Sequence, residues 1–264
     1  MASERSNLIN RSTEGLHYPS LYEDYLRPVL AEFFGVTLFV CVGCLCVLQS
    51  GNAGTLGYST AFSAIAIAAG HGLTIALLVV ALGEISGAHL NPAVTVGAFI
   101  AGAISPVKAV LYVLAQIVGG LAGAGLTRGI LNKDVYTAIG GGAHTLGEGV
   151  TAGQGVLCEV VLTTVLVLTV LMTAVDPRNK SQLAPLAIGF AVTVDILAGV
   201  QITGASMNPA RSFGPAVVIS YATTSFWTYH YIYWVGPLLG SLVAGIWYRL
   251  FLASSENRLV FKGE

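Results

Sequence analysis

Charge is what this sequence has least of. Asp, Glu, Lys and Arg make up 9% of its 264 residues, against roughly 25% in an ordinary soluble protein. Twelve Lys/Arg and thirteen Asp/Glu cannot cover the surface of a soluble chain of this length. A formal net charge of −1 leaves no basic surface to neutralise a run of phosphates, which excludes nucleic acid as a partner. Cysteine is sparse as well. Cys41, Cys44 and Cys46 crowd one apolar stretch and Cys158 opens another, so they read as free thiols rather than a disulfide framework. The first 25 residues are largely polar and have no apolar core like that of a secretory signal; they read as a short tail. No nucleophile–base pair and no metal-ligand spacing occurs, so neither an enzyme, a metal site nor a cofactor is expected.

What the chain has is apolar length. Hydrophobic residues reach 55% and the mean hydropathy is +0.76. A transmembrane helix needs about 20 mainly apolar residues. Six stretches qualify, near Pro28–Leu48, Ala61–Leu82, Val107–Leu126, Val156–Val175, Leu183–Ile202 and Tyr231–Leu252. Helices rather than barrel strands are expected, because the runs show no alternation. Six spans put both termini on one side. With the termini cytoplasmic, nine Lys/Arg (Arg5, Arg11, Arg27, Lys108, Arg178, Lys180, Arg249, Arg258, Lys262) lie inside, against Arg128, Lys133 and Arg211 outside. That satisfies the positive-inside rule. The plasma membrane is the expected location, with intracellular membranes the alternative.

A repeat sets the architecture. The run from Ile85 to Gly97 recurs from Ile202 to Gly214 with seven of thirteen positions identical at an offset of 117. Acids recur too, Glu32 in the first span and Glu159 in the fourth. Three spans per repeat force the halves into opposite orientations, which puts a functional site near the bilayer midplane. Each copy carries Asn-Pro-Ala: Asn91, Pro92, Ala93 and Asn208, Pro209, Ala210. Asn is a favoured N-cap and Pro a favoured first helical residue. The apolar stretches that follow, Ala93–Ile104 and Ala210–Ser220, are too short to span. They read as half-helices entering from opposite sides and meeting N-terminus to N-terminus. Paired positive helix ends and two Asn amides there would suit a pore for a small neutral polar molecule and repel cations. The expected organisation is a tail over 1–26, a first repeat over 27–127, an extracellular connection over 128–154, a second repeat over 155–252 and a tail over 253–264.

These residues resemble the aquaporin family. Its signature SGAHLNPAVT is present from Ser86 and NPARSFGPA from Asn208, and the resemblance runs from Arg27 to about Leu252. It implies an all-α membrane protein of six spans plus two re-entrant half-helices, a pore through each protomer, and a homotetramer. The runs GFAVTVDILAG from Gly189 and FWTYHYIYWVGPLLG resemble the eighth animal subtype, with an echo of plant vacuolar members. Water, hydrogen peroxide and ammonia are the solutes this implies. Spacing from the two motifs carries the family's outer constriction onto His71, Ile196, Ala205 and Arg211. Strict water channels usually have Phe, His and Cys at the first three positions; this sequence departs at all three.

Other polar residues take lesser roles. Glu32 and Glu159 are expected to brace the re-entrant loops by accepting backbone N–H bonds. His89 shapes a vestibule, and Asp195 points off the pore. His144, fifteen residues before Glu159, either joins the filter or is a solvated loop residue. Cys44 is a candidate redox-sensitive thiol beside the pore. The rival readings are a glycerol or urea facilitator of the same family, whose members usually carry Asp where this chain has Ser212, and an alternating-access transporter, which would need midplane carboxylates for coupling.

Overall fold

The computed structural model describes residues 20–48 and 60–260. Most of the proposed N-terminal tail, residues 49–59 and the last four residues lie outside them. The described residues form nine α-helices: α1 Arg27–Cys46, α2 Thr60–Ser86, α3 Pro92–Ile100, α4 Pro106–Ile130, α5 Lys133–Ala138, α6 Ala152–Val170, α7 Ala184–Gly199, α8 Pro209–Ile219 and α9 Ile232–Trp247. Single π-turns precede α1 and extend α6 and α9.

Lipid demands that every backbone group be paired within its own segment, and helices do this. Several threonine hydroxyls are satisfied the same way. Thr37, Thr74, Thr164 and Thr173 each donate to the carbonyl one turn back, at 2.7 Å. Capping closes the ends. Thr151 and Gln154 form a capping box at α6, and Ser105 caps α4. Large apolar side chains such as Leu73, Leu77, Val80, Phe190 and Val194 face outward, where lipid rather than water is the solvent.

Among the described residues, five helical stretches are long and apolar enough to cross a membrane, from Tyr22–Cys46 to Ser225–Leu252. The sixth expected span, Leu183–Ile202, is shorter than the sequence suggests: α7 has 16 residues, about 24 Å at 1.5 Å per residue. It ends at Gly199, and the chain turns at once into the loop that leads to Asn208. The fourth span begins earlier than expected, at Ala152. The first half-helix stops at Ile100 rather than Ile104, because Gly102 takes a left-handed φ of 79°. The connection expected over 128–154 is not all loop: α4 runs on to Ile130, and Asn132 caps the short α5.

The two repeats interlock. α1 packs on α4, α6 packs on α9, and α2 meets α7 across the halves. Each half-helix docks on the last span of the other repeat, α8 on α4 and α3 on α9. Glycines make the close contacts possible. A Cβ on Gly120 would strike the Ala210 carbonyl, and one on Gly214 would strike the backbone of Gly120.

Candidate functional site: a cavity between the two half-helices

Each half-helix begins as its sequence requires. Asn91 is extended and its Oδ1 accepts from Ala93 N at 2.8 Å. Asn208 does the same for Ala210 N and Arg211 N, at 3.0 and 3.2 Å. The amide nitrogens are not wholly free. Asn91 Nδ2 donates to Met207 O at 2.8 Å, and Asn208 Nδ2 donates to Leu90 O at 2.9 Å. Each cap is thereby tied to the opposite repeat, and each NH2 keeps a second hydrogen to offer.

The loops before the caps are strained. Ala88, Leu90, Ala205 and Met207 have φ between 46° and 54°, where a side chain is disfavoured. Such conformations cost about 1–3 kcal/mol each and persist only when over-determined by their surroundings. Two buried carboxyl groups hold them. Glu32 accepts from Ser86 Oγ, His89 N, Leu90 N and Gln116 Nε2 at 2.6–2.9 Å. Glu159 accepts from Thr203 Oγ1, Ser206 N and Met207 N at 2.7–2.9 Å. Tyr112 and Tyr233 add matched bonds, at 2.8 Å, to the carbonyls of Ser86 and Thr203.

Between the loops runs a cavity of about 400 Å³. Two stripes wall it at four-residue helical spacing, Ile67, His71 and Ile75 on α2 and the wholly apolar Ile188, Val192 and Ile196 on α7. Asn91, Asn208, Ala205 and Arg211 also line it, as does His89, whose Nδ1 lies 3.1 Å from Thr95 Oγ1. His71 and Arg211 form its polar pair. Arg211 donates from Nη1 to Gly142 O at 2.8 Å and approaches His71 Nε2 through Nε and Nη2 at 3.4 Å. His71 Nδ1 sits 2.9 Å from the Ile67 carbonyl. A carbonyl can only accept, so Nδ1 carries the hydrogen and Nε2 presents its lone pair to Arg211.

His144 reaches the same cavity. Its Nδ1 lies 2.8 Å from Ser212 Oγ, and its ring is 5.3 Å from that of Tyr233. Burial, followed by the nearby Arg211 charge, holds its imidazole well below the ordinary pKa, so it is neutral near pH 7. The loop bends inward through Gly140, Gly141 and Gly142, all with φ between 58° and 74°. The Gly142 carbonyl is a functional group that the reading of motifs missed; three consecutive glycines were its signal. Gln116, Tyr112 and Tyr233 were missed as well, because nothing in an apolar helix marks which polar residue faces a loop. Cys44 is fully buried, packs behind Gly142 and is not among the lining residues; Asp195 also lies off the cavity wall. Among the described residues, no cluster of three His, Cys, Asp or Glu could hold a metal ion.

Two inverted repeats, half-helices meeting at their N-termini and a cavity between them define a membrane channel. The profile of the family described as Major intrinsic protein matches residues 21–248. Aquaporin-8 of Notomys alexis is 42% identical over 247 residues, covering 92% of this chain and 88% of that protein. Aquaporin-8 of Rattus norvegicus is 40% identical over 253 residues, with 94% and 90% covered. Aquaporin TIP4-1 of Zea mays is 38% identical over 263 residues, with 98% and 99% covered. The solved structure of the aquaglyceroporin from Plasmodium falciparum shares the fold, at a TM-score of 0.71 and 24% identity over 85% of this chain and 96% of that one. The chain belongs to the major intrinsic protein family, the aquaporins. It is a multi-pass integral membrane channel and not an enzyme.

Proposed function

We propose that this channel conducts water, hydrogen peroxide and ammonia down their own gradients, and excludes protons, ions and most glycerol. The observation that carries the reading is the His71–Arg211 pair opposite Ile196 and Ala205. A solute entering between His71 Nε2 and the guanidinium can accept from Arg211 and donate to His71. Water, hydrogen peroxide and ammonia each have both capacities. Ammonium has no lone pair to accept with, and its charge meets that of Arg211, so it must leave its proton behind. Ile196 and Ala205 supply an apolar wall that asks no hydrogen bond of the solute. The second hydrogens of Asn91 and Asn208 then hold a passing oxygen between two positive helix ends, which is a poor place for a cation.

The remaining features extend the same proposal. His71, Ile196, Ala205 and Arg211 act as the selectivity filter, with His144 as an added member beside Ser212. The excess of Lys and Arg at one face supports cytoplasmic termini, and the resemblance supports a homotetramer in the plasma membrane. Flux of water, hydrogen peroxide, methylamine and glycerol through proteoliposomes tests the solutes in parallel. The triple variant His71→Phe, Ile196→His, Ala205→Cys should keep water flux and lower ammonia flux at least tenfold. Ammonia flux equal to the parent's would show that these positions do not form the filter. Fast glycerol flux in the parent would favour a facilitator instead.

A further inference from the structure

Glu32 and Glu159 hold equivalent loops with unequal partners. Glu32 takes donors on both oxygens twice over, Ser86 Oγ and His89 N on Oε1, Leu90 N and Gln116 Nε2 on Oε2. Glu159 takes Thr203 Oγ1 and Ser206 N on Oε1, but Met207 N alone on Oε2. The difference has a cause in the sequence. Tyr112 of α4 and Tyr233 of α9 are counterparts, each bonded to the carbonyl of the residue that caps the adjacent acid. One turn further on, Gln116 in α4 corresponds to Pro237 in α9, which has no side-chain donor.

A second carboxyl group lies nearby and takes no part in the path of the solute. Asp195 is 2% exposed, and its Oδ2 is buried with no hydrogen-bond partner among the described residues. Glu159 and Cys158 of α6 lie close enough to interact with it electrostatically. Its helix turns Val192 and Ile196 to the cavity and packs on α6, and Asp195 is not among the lining residues. Oδ2 of Asp195 makes no hydrogen bond to Glu159. A water molecule can serve both, giving one hydrogen to each.

We propose that Asp195 builds a buried water site between α6 and α7, whose water donates to Asp195 and to Glu159 Oε2 in place of the donor that Gln116 supplies in the first repeat. Asp195 is then a positioning residue. Through the water and Glu159 it steadies the amides of Ser206 and Met207, and with them Ala205 and the Asn208 cap.

The test is amide hydrogen exchange over residues 203–208 in lipid nanodiscs, which involves no solute and so is independent of the permeants proposed above. Asp195→Leu should speed exchange at Ser206 and Met207 about tenfold. Asp195→Asn, which keeps a polar group for the water, should stay near the parent. Adding Pro237→Gln to Asp195→Leu should restore protection, by supplying Glu159 with the donor that Glu32 already has. Parent-like exchange in Asp195→Leu, or equal loss in the Leu and Asn variants, would overturn the proposal. If Asp195→Leu does not fold, a density map of the parent decides. A solvent peak between Asp195 and Glu159 Oε2 supports the site, and a peak with the short multiple contacts of a metal cation, or none, overturns it.

Discussion

Among the described residues, no carboxylate pairs with Arg211. Its guanidinium is 3% exposed and bonds to the Gly142 carbonyl and the His71 ring, both neutral. The charge is therefore uncompensated at close range, and a cation in the cavity meets all of it. Arg211→Ala should raise proton or cation conductance at least tenfold, which corresponds to about 1.4 kcal/mol of barrier. The cap at Asn208 is built from backbone amides and survives the change, so the variant should still fold. Conductance measured on voltage-clamped vesicles checks this. An unchanged leak would move the barrier to Asn91 and Asn208. The residue scale also shows where sequence reading stops. Arg211 and His71 follow from their spacing to the motifs, but the carbonyl of Gly142 belongs to a loop whose path no spacing gives.

At the scale of elements, the weak point is the seat of α8 on α4. A methyl group on Gly214 would meet the backbone carbonyl of Gly120, and backbone cannot turn aside as a side chain can. Overpacking of this kind costs about 1–3 kcal/mol. Gly214→Ala should lower the unfolding temperature of the detergent-solubilised protein measurably. Gly125→Ala, on α4 with nothing within 4 Å of the added methyl, should not. Equal effects would mean that the α4–α8 seat has room to spare. These elements were largely legible beforehand. The apolar runs gave the spans, and Asn-Pro at the start of a short apolar stretch gave both half-helices, since cap chemistry is local. Their ends were less legible. α3 stops where Gly102 turns left-handed, and α7 stops where the chain must drop back toward Glu159; both depend on neighbours distant in sequence. The helix α5 had a readable signal in Asn132, whose Oδ1 accepts from Val135 N at 3.0 Å.

The whole molecule is closed at two levels. At its centre, Asn91 and Asn208 cross-bond the repeats, so neither half-helix is complete without the other. At one end, Asp176 fastens the turn after α6 to the chain beyond α9. Its Oδ2 accepts from Ser254 N at 2.8 Å and from Tyr248 OH at 3.2 Å, and Oδ1 accepts from Arg178 N at 3.0 Å. Arg178 in turn donates to Ser255 Oγ at 2.9 Å. Burial by itself would push the Asp176 carboxyl up, but the bonds from Ser254, Arg178 and Tyr248 outweigh it and hold the pKa below the ordinary value. The stabilisation this gives is therefore complete above the unfolded pKa, about 3.9, and is lost as pH falls through the lower folded value. The tie should be insensitive to pH from 5 to 8 and open only in stronger acid. Asp176→Asn removes the charge at every pH, and a hydrogen bond to a charged group contributes about 1.5–3 kcal/mol. Protection of the Ser254 amide, taken relative to its intrinsic exchange rate at each pH, should then be at least tenfold lower at pH 7 and flat with pH, whereas the parent should fall to the variant's protection only in acid below about pH 4. Identical exchange in parent and variant at pH 7 would show that α9 and the turn after α6 hold the segment without Asp176.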